Sequence, residues 1–266
     1  MSDALPPKME MIMARFARAA RLSLLAGGVV IAAVAVAGCG SADLDDAKAE
    51  HRAFAFSGRT LTVDSDNSQL ELVPGSGKDV QVTRWFAGWS VGGETKASWE
   101  LEQGTLKLRE HCGGISSDCR SKHRVEVPRG VAVVVKDGNG QVTVRDLTED
   151  VQVSSGNGRI VAQGLKGEVR LRSGNGEVTG EGLAGRKVRA ESGNGRIRLS
   201  LDKPAEQVTA ESDNGEVKIT VPEAKYKVDA GSHNGQVHIG VKRDDDSRYA
   251  LSAHSGNGAV RLETAG

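Results

Sequence analysis

The sequence predicts an all-β protein, a parallel β-solenoid (a β-helix-like repeat array) carrying an irregular β-rich N-terminal portion. Three observations predict it. A Gly-rich corner centred on asparagine recurs seven times, at Asn139, Asn157, Asn175, Asn194, Asn214, Asn234 and Asn257, with spacings of 18, 18, 19, 20, 20 and 23 residues. Apolar residues fill the same columns of every unit two positions apart, which is the period of a strand. Aromatics make up 3% of a 266-residue chain that holds 34 glycines, so small β-branched side chains must fill the interior.

The chain opens on a processing segment. Arg15, Arg18 and Arg21 precede the apolar run "LSLLAGGVVIAAVAVAGC", which ends in Val36-Ala37-Gly38-Cys39. That ending resembles the lipobox of bacterial lipoproteins, which implies a signal peptide over residues 1–38 and a lipid on Cys39 as the first mature residue. A plain transmembrane anchor is the competing reading, because the run is long enough to span a bilayer. On either reading the rest of the chain is expected on the extracytoplasmic face of the cell membrane. Residues 39–53 are expected to be the lipidated cysteine and a polar tether. Removing residues 1–38 leaves 31 basic and 33 acidic residues, so lipid rather than charge is expected to hold the chain to its membrane. The same neutrality speaks against a nucleic-acid partner.

Residues 54–130 alternate in the manner of strands but without a repeat, and "EQGTL" reads as a hairpin turn. This region is expected to cap the array. It holds Cys112 and Cys119, whose six intervening residues include two glycines, and a disulfide is expected in an oxidising exterior. His111 and His123 flank them, but the separation departs from zinc-site spacing, and no metal or other cofactor beyond the lipid is expected. The segment also concentrates Trp85, Phe86, Trp89 and Trp99. These either cap the open end of the solenoid or, at Trp85, Phe86 and Trp89, form a partner surface.

Residues 131–266 are the seven-unit array. Three residues after each asparagine stand Val142, Ile160, Val178, Ile197, Val217, Val237 and Val260. Six before it stand Val133, Val151, Val169, Val188, Val208, Val228 and Leu251. Each unit is thus two short strands joined across the corner, and stacked copies bury what one copy cannot. Asn67, in "SDNSQLEL", is a diverged corner expected outside the array.

The glycine after each asparagine is present in all seven units, at Gly140, Gly158, Gly176, Gly195, Gly215, Gly235 and Gly258. Either positive φ or close coil-to-coil approach would require it. A serine two before the asparagine in six of seven units, with Asp137 in the first, suggests a Ser/Asn ladder across the stack. A phosphate loop would need a following helix, and strands follow here. A calcium solenoid would need an aspartate in every repeat, and only Asp137 and Asp213 lie in corners. The column Arg159, Glu177, Arg196, Glu216 is expected to form an alternating ion ladder. No paired carboxylates gather on one face, and His233, His238 and His254 fall in different columns, so no catalytic residues are expected.

The "VPRGVAVVVKDGNGQVTV" entry and the "SGNGRI" and "SGNGEV" units resemble the DUF4097 family, whose members are labelled adhesin-like. The resemblance covers roughly residues 54–266 and implies a right-handed solenoid-like fold outside the membrane. It supplies no catalytic residues. The expected function is a non-enzymatic, adhesin-like interaction module at the cell envelope, meeting a cell-wall glycan or an envelope protein. An envelope sensor acting through a membrane partner and a carbohydrate-active β-helix are the alternatives.

Overall fold

Two short strands on either side of a corner make one coil, and nine such coils stack into the body of the protein, seven of them turning on the Gly-rich corner. The computed structural model describes residues 43–266; Cys39 and the expected signal peptide lie outside the described residues. In chain order the strands are β1 (Glu50–Phe54), β2 (Thr60–Ser65), β3 (Gln69–Pro74), β4 (Val80–Val91), β5 (Thr95–Glu102), β6 (Thr105–Cys112) and β7 (Ser116–Val127). The array continues as β8 (Ala132–Asp137), β9 (Val142–Arg145), β10 (Val151–Ser155), β11 (Ile160–Gln163), β12 (Val169–Ser173), β13 (Val178–Leu183), β14 (Lys187–Ser192) and β15 (Ile197–Leu201). It closes with β16 (Gln207–Ser212), β17 (Val217–Val221), β18 (Lys225–Ser232), β19 (Val237–Gly240), β20 (Lys242–Arg243), β21 (Ala250–Ser255) and β22 (Val260–Thr264). β1 takes in residues 50–53, which the sequence assigned to the tether.

The strands form two eleven-stranded sheets, one on each side of the core. One runs β1-β4-β7-β3-β9-β11-β13-β15-β17-β22-β19, the other β5-β6-β2-β8-β10-β12-β14-β16-β21-β18-β20. Pairing within the stack is parallel and in register: Val151 stands between Val133 and Val169, and Ile160 between Val142 and Val178. At the coil spacing of about 4.8 Å the nine coils extend for about 40 Å.

Two features depart from a stack built in sequence order. The Asn67 unit, β2–β3, lies inside the array against β8–β9, with β6–β7 on its other side. At the opposite end β21–β22, the last unit in the chain, lies between β16–β17 and β18–β19. Each end of the stack is therefore closed by a coil that is second, not first, from its end of the chain. The chain passes over a coil in two short links, 128–131 from β7 to β8 across β2–β3 and 222–224 from β17 to β18 across β21–β22, whereas the long segments 75–104 and 240–249 lead only to the adjacent coil. Being outermost, β19 leaves Val237 41% exposed although its column is buried elsewhere.

Core volume is conserved from coil to coil by exchange between two columns. Leu171 at 1% exposure shares a coil with Gly180, whereas Ala190 and Ala210 share theirs with Leu199 and Ile219. Leu183 comes in beside Gly180 through a register shift in β13, and a Cβ at Gly180 would lie 2.8 Å from it. The interior is thus refilled, not narrowed, where alanine replaces leucine. The "EQGTL" turn joins β5 to β6 with Gln103 (φ 47°) and Gly104 (φ 78°), both left-handed, as a tight two-residue hairpin needs.

Candidate interaction surface

The corner asparagines line up as one continuous ladder. Each side-chain amide donates to the oxygen of the neighbouring coil's asparagine at 2.5–2.7 Å, from Asn139 onto Asn67 through Asn157, Asn175, Asn194, Asn214 and Asn257 to Asn234. The inversion of Asn257 and Asn234 repeats the strand order. Inside it runs a serine column. Ser155, Ser173, Ser192, Ser212, Ser232 and Ser255 each accept from the glycine N–H three residues on, at 2.8–2.9 Å. From Ser173 onward each also donates to a neighbouring coil's glycine carbonyl, at 2.8–3.0 Å.

Close approach accounts for the strict glycine. None of Gly140, Gly158, Gly176, Gly195, Gly215, Gly235 and Gly258 has a left-handed φ. A Cβ at Gly158 would fall 1.8 Å from the Gly140 carbonyl oxygen, and one at Gly195 2.0 Å from that of Gly176. The corner asparagines and serines are thus bonded from coil to coil along the whole ridge.

The outward charges are likewise engaged with one another. Arg159 meets Glu177 at 3.4 Å, but Glu177 then pairs with Arg198 rather than Arg196, and Glu216 pairs with Arg261 at 3.2 Å. The expected single ladder is therefore a two-column lattice. Arg198 stands two residues along the strand from Arg196 and brings the same charge to Glu177. Arg170 pairs with Glu168 at 3.3 Å, Arg172 with Glu191 at 3.1 Å, and Arg189 with Glu191 and Glu211. His254 lies 3.3 Å from Asp229. Among the described residues no group of three or more His, Cys, Asp or Glu is placed to hold a metal ion.

The feature that stands out from this surface is at the N-terminal end. The β2–β3 coil turns its corner in residues 66–68, but in the neighbouring β6–β7 coil the corner is replaced by residues 109–121. These run past the ridge as a four-stranded arm. Residues 109–112 pair antiparallel with 95–98, and residues 116–121 with 86–91. Cys112 and Cys119 are bonded across it with Cα atoms 6.2 Å apart. At its base, Arg109 reaches Asp64 at 2.9 Å. Two glycine pairs form the tip, Gly92-Gly93 and Gly113-Gly114, pressed so close that a Cβ at Gly93 would lie 2.3 Å from the Gly113 oxygen.

Alternation along β4 divides the aromatic cluster. Trp85 and Trp89 share the outward face. Trp85 packs under Lys122, with the ammonium 5.4 Å from the ring, and lines a shallow depression with Asp43, Leu44, Asp45 and Arg120. The Trp89 Nε1 is buried with no acceptor. Phe86 stands on the other face with Gly88, so it does not share a surface with the two indoles. Trp99, on β5, lies edge-on to Phe54 at 6.4 Å and carries the Arg84 guanidinium at 4.3 Å. The cluster is therefore divided, with Phe86 and Trp99 on the inner side and Trp85 and Trp89 on the outer.

The alternation pattern does not signal the ionisable groups that the fold takes out of water at this end. His123 is 1% exposed with both ring nitrogens unbonded, and burial together with the nearby Arg84 charge pushes its pKa down to about 4. Glu110, bonded by the Ser121 hydroxyl, is pushed up to about 7 by burial and by Asp66. Asp137, which takes the serine place in the first array corner, is pushed up to about 7 mainly by burial.

These shifts have opposite signs. Glu110 and Asp137 hold protons in the folded chain above the pH at which the unfolded chain releases them. They add stability below about pH 7 that is lost as pH rises through 7. His123 stays neutral in the fold while the unfolded imidazole takes a proton near 6.5, so it costs stability as pH falls from there to 4. Two groups oppose one, and denaturant melts are expected to show stability increasing from pH 8 to pH 5. Asp137→Asn should remove most of that slope; an unchanged slope would show that Asp137 titrates normally.

No curated protein matches the chain. Among solved structures it is similar to one described as a candidate cell adhesion protein of Clostridium sporogenes ATCC 15579, at 12% identity over 82% of this chain and 100% of that one, with a TM-score of 0.34. It is similar also to a candidate adhesin of Bacteroides fragilis NCTC 9343, at 14% identity over 82% and 97%, TM-score 0.38. A third, a candidate adhesin of Parabacteroides merdae ATCC 43184, is 10% identical over 83% and 98%, TM-score 0.24. The family model described as Toastrack DUF4097 matches residues 43–265, nearly all that follows the apolar N-terminal run. The chain belongs to the Toastrack DUF4097 family.

Proposed function

We propose that this chain is a lipid-anchored protein of the cell envelope whose solenoid is a non-enzymatic interaction module, and that the arm is its contact element. The observation that carries the reading is the arm itself. On a surface whose corners and many of whose charges are bonded to their neighbours, it alone among the described residues combines projection, a covalent brace and two indoles on its outward face. A rigid scaffold presenting aromatic anchors loses little conformational entropy on contact, which is the economy of a binding surface.

The anchor assigned to Cys39 is tested by metabolic lipid labelling of the full chain. Cys39→Ala is expected to abolish incorporation, and undiminished labelling would end the lipoprotein reading. The interaction role is tested by capture of cell-wall polymers and envelope proteins on the lipid-bearing chain. Trp85→Ala with Trp89→Ala is expected to lower capture at least tenfold, and equal capture by that variant would remove the arm from the contact.

A further inference from the structure

We propose that the tip of the arm seats in the headgroup region of the bilayer that carries the chain, so that the solenoid is held at two points and in one orientation. This rests on the lipid anchor at Cys39. Among the described residues three large hydrophobic side chains are exposed, and two of them, Ile115 at 93% and Val91 at 56%, are neighbours at this tip. The Ile115 N–H donates to the Val91 carbonyl at 2.9 Å, which holds the two side by side. The four tip glycines have no side chains, so these aliphatics are its outermost bulk.

The chemistry behind the tip fits a lipid interface. Trp89 and Trp85 follow at two and six residues back along β4, on its outward face, which leaves them behind the seated tip and available for the contact proposed above. The charges nearest the tip are met in pairs, Lys96 with Glu94 and Arg120 with Asp118 at 3.9 Å, so approach to lipid strands no lone ion. The disulfide keeps the strands together, and little order must be created on insertion.

The geometry of the chain points to a membrane over other occupants. The apolar run ends at Cys39, and Asp43, Leu44 and Asp45 already lie with Trp85 at the base of the arm. The four residues from Cys39 to Asp43 span at most about 14 Å. A lipid on Cys39 therefore keeps the arm's base within that distance of the bilayer. From Trp85 to Val91 the arm is about 20 Å long, so its tip is within reach of the same surface. A second protein copy would need roughly 800 Å² on each partner for a stable interface, far more than two aliphatic side chains provide.

The test uses the full lipid-bearing chain in vesicles of phosphatidylglycerol and phosphatidylcholine, with and without bromine on the upper acyl chain. Ile115→Trp adds an indole at the tip; Val237→Trp adds one at the far end of the stack as a control. Both positions are exposed, so neither change should unfold the chain. The added tip indole is expected to lose at least half its emission to brominated lipid, and the control indole none. A tip indole left unquenched while the chain floats with the vesicles overturns the proposal and leaves the anchor standing. Quenching equal at both positions overturns it too, since the solenoid would then lie flat. If the chain and its Cys39→Ala variant float equally poorly, the anchor reading fails and the proposal falls with it.

Discussion

Deleting residues 250–266 is expected to unfold the C-terminal part of the solenoid, well beyond the segment removed. In a stack built in sequence order this deletion would take off the end coil and leave its neighbour as the new end. Here β21–β22 is an interior coil. Leu251, Val260 and Leu262 are at most 1% exposed, and both faces of their coil are covered, by β16–β17 and by β18–β19. Losing these three side chains removes about 5–9 kcal/mol of apolar burial. That is comparable to the whole stability of an ordinary domain. β18–β19 would keep a partner only in the two-residue β20. Hydrogen exchange gives the check without truncation: amides of β22 should exchange more slowly than those of β19, although β22 is nearer the end of the chain. Faster exchange in β22, or a truncated chain in which β18–β19 stays protected, would refute the coil order.

Gly195→Ala is expected to cost about 3–5 kcal/mol, among the larger effects of any single substitution. The added methyl would stand 2.0 Å from the carbonyl oxygen of Gly176 and 2.4 Å from its carbon. Those atoms are backbone held by the same ladder, so relief requires two coils to part. Asn194→Ala, one residue away, should cost only about 1–2 kcal/mol. It removes one donated and one accepted amide bond at an exposed position. Denaturation midpoints of the two variants decide the matter. If the asparagine change were the costlier, the side-chain ladder rather than backbone proximity would hold the corners.

The contrast between those two predictions marks what could be read from the residues alone. Column identity revealed the strands, their inward faces and the corner, because a parallel in-register stack repeats the same demand at the same position. It could not reveal the order of coils. Val208, Val228 and Leu251 satisfy the same column equally well, so the pattern is indifferent to which neighbours which. Spacing carries no signal of it either: the coil is passed between Asn214 and Asn234, a step of 20 residues like the ordinary one from Asn194 to Asn214, whereas the 23-residue step to Asn257 leads to the adjacent coil. The place of Asn67 inside the array was hidden for a related reason: its distance from Asn139 is filled by β4 to β7, and spacing alone cannot tell an insertion from an end. The arm was legible only as a concentration of aromatics and two cysteines. Its division into an inner face with Phe86 and an outer face with Trp85 and Trp89 follows from pairing with β7, which sequence does not specify. Glu110 and His123 were hidden because their strands also alternate polar residues outward, and which face was buried depended on that same pairing.

The exchange of coils at the two ends also governs how the molecule bears load. Pulling on the C-terminus acts on β22, which is bonded along its length to β17 on one side and β19 on the other. Two ladders must then yield in shear together, where a strand at the rim would peel one bond at a time. At the opposite end the chain begins in β1, which lies at the rim of one sheet as β5 does of the other, and once β1 is stripped the force arrives at β2–β3, gripped between β6–β7 and β8–β9. Beyond β1, the described residues offer no loose thread, so the stack of coils resists unravelling from its ends by the way the chain is tucked.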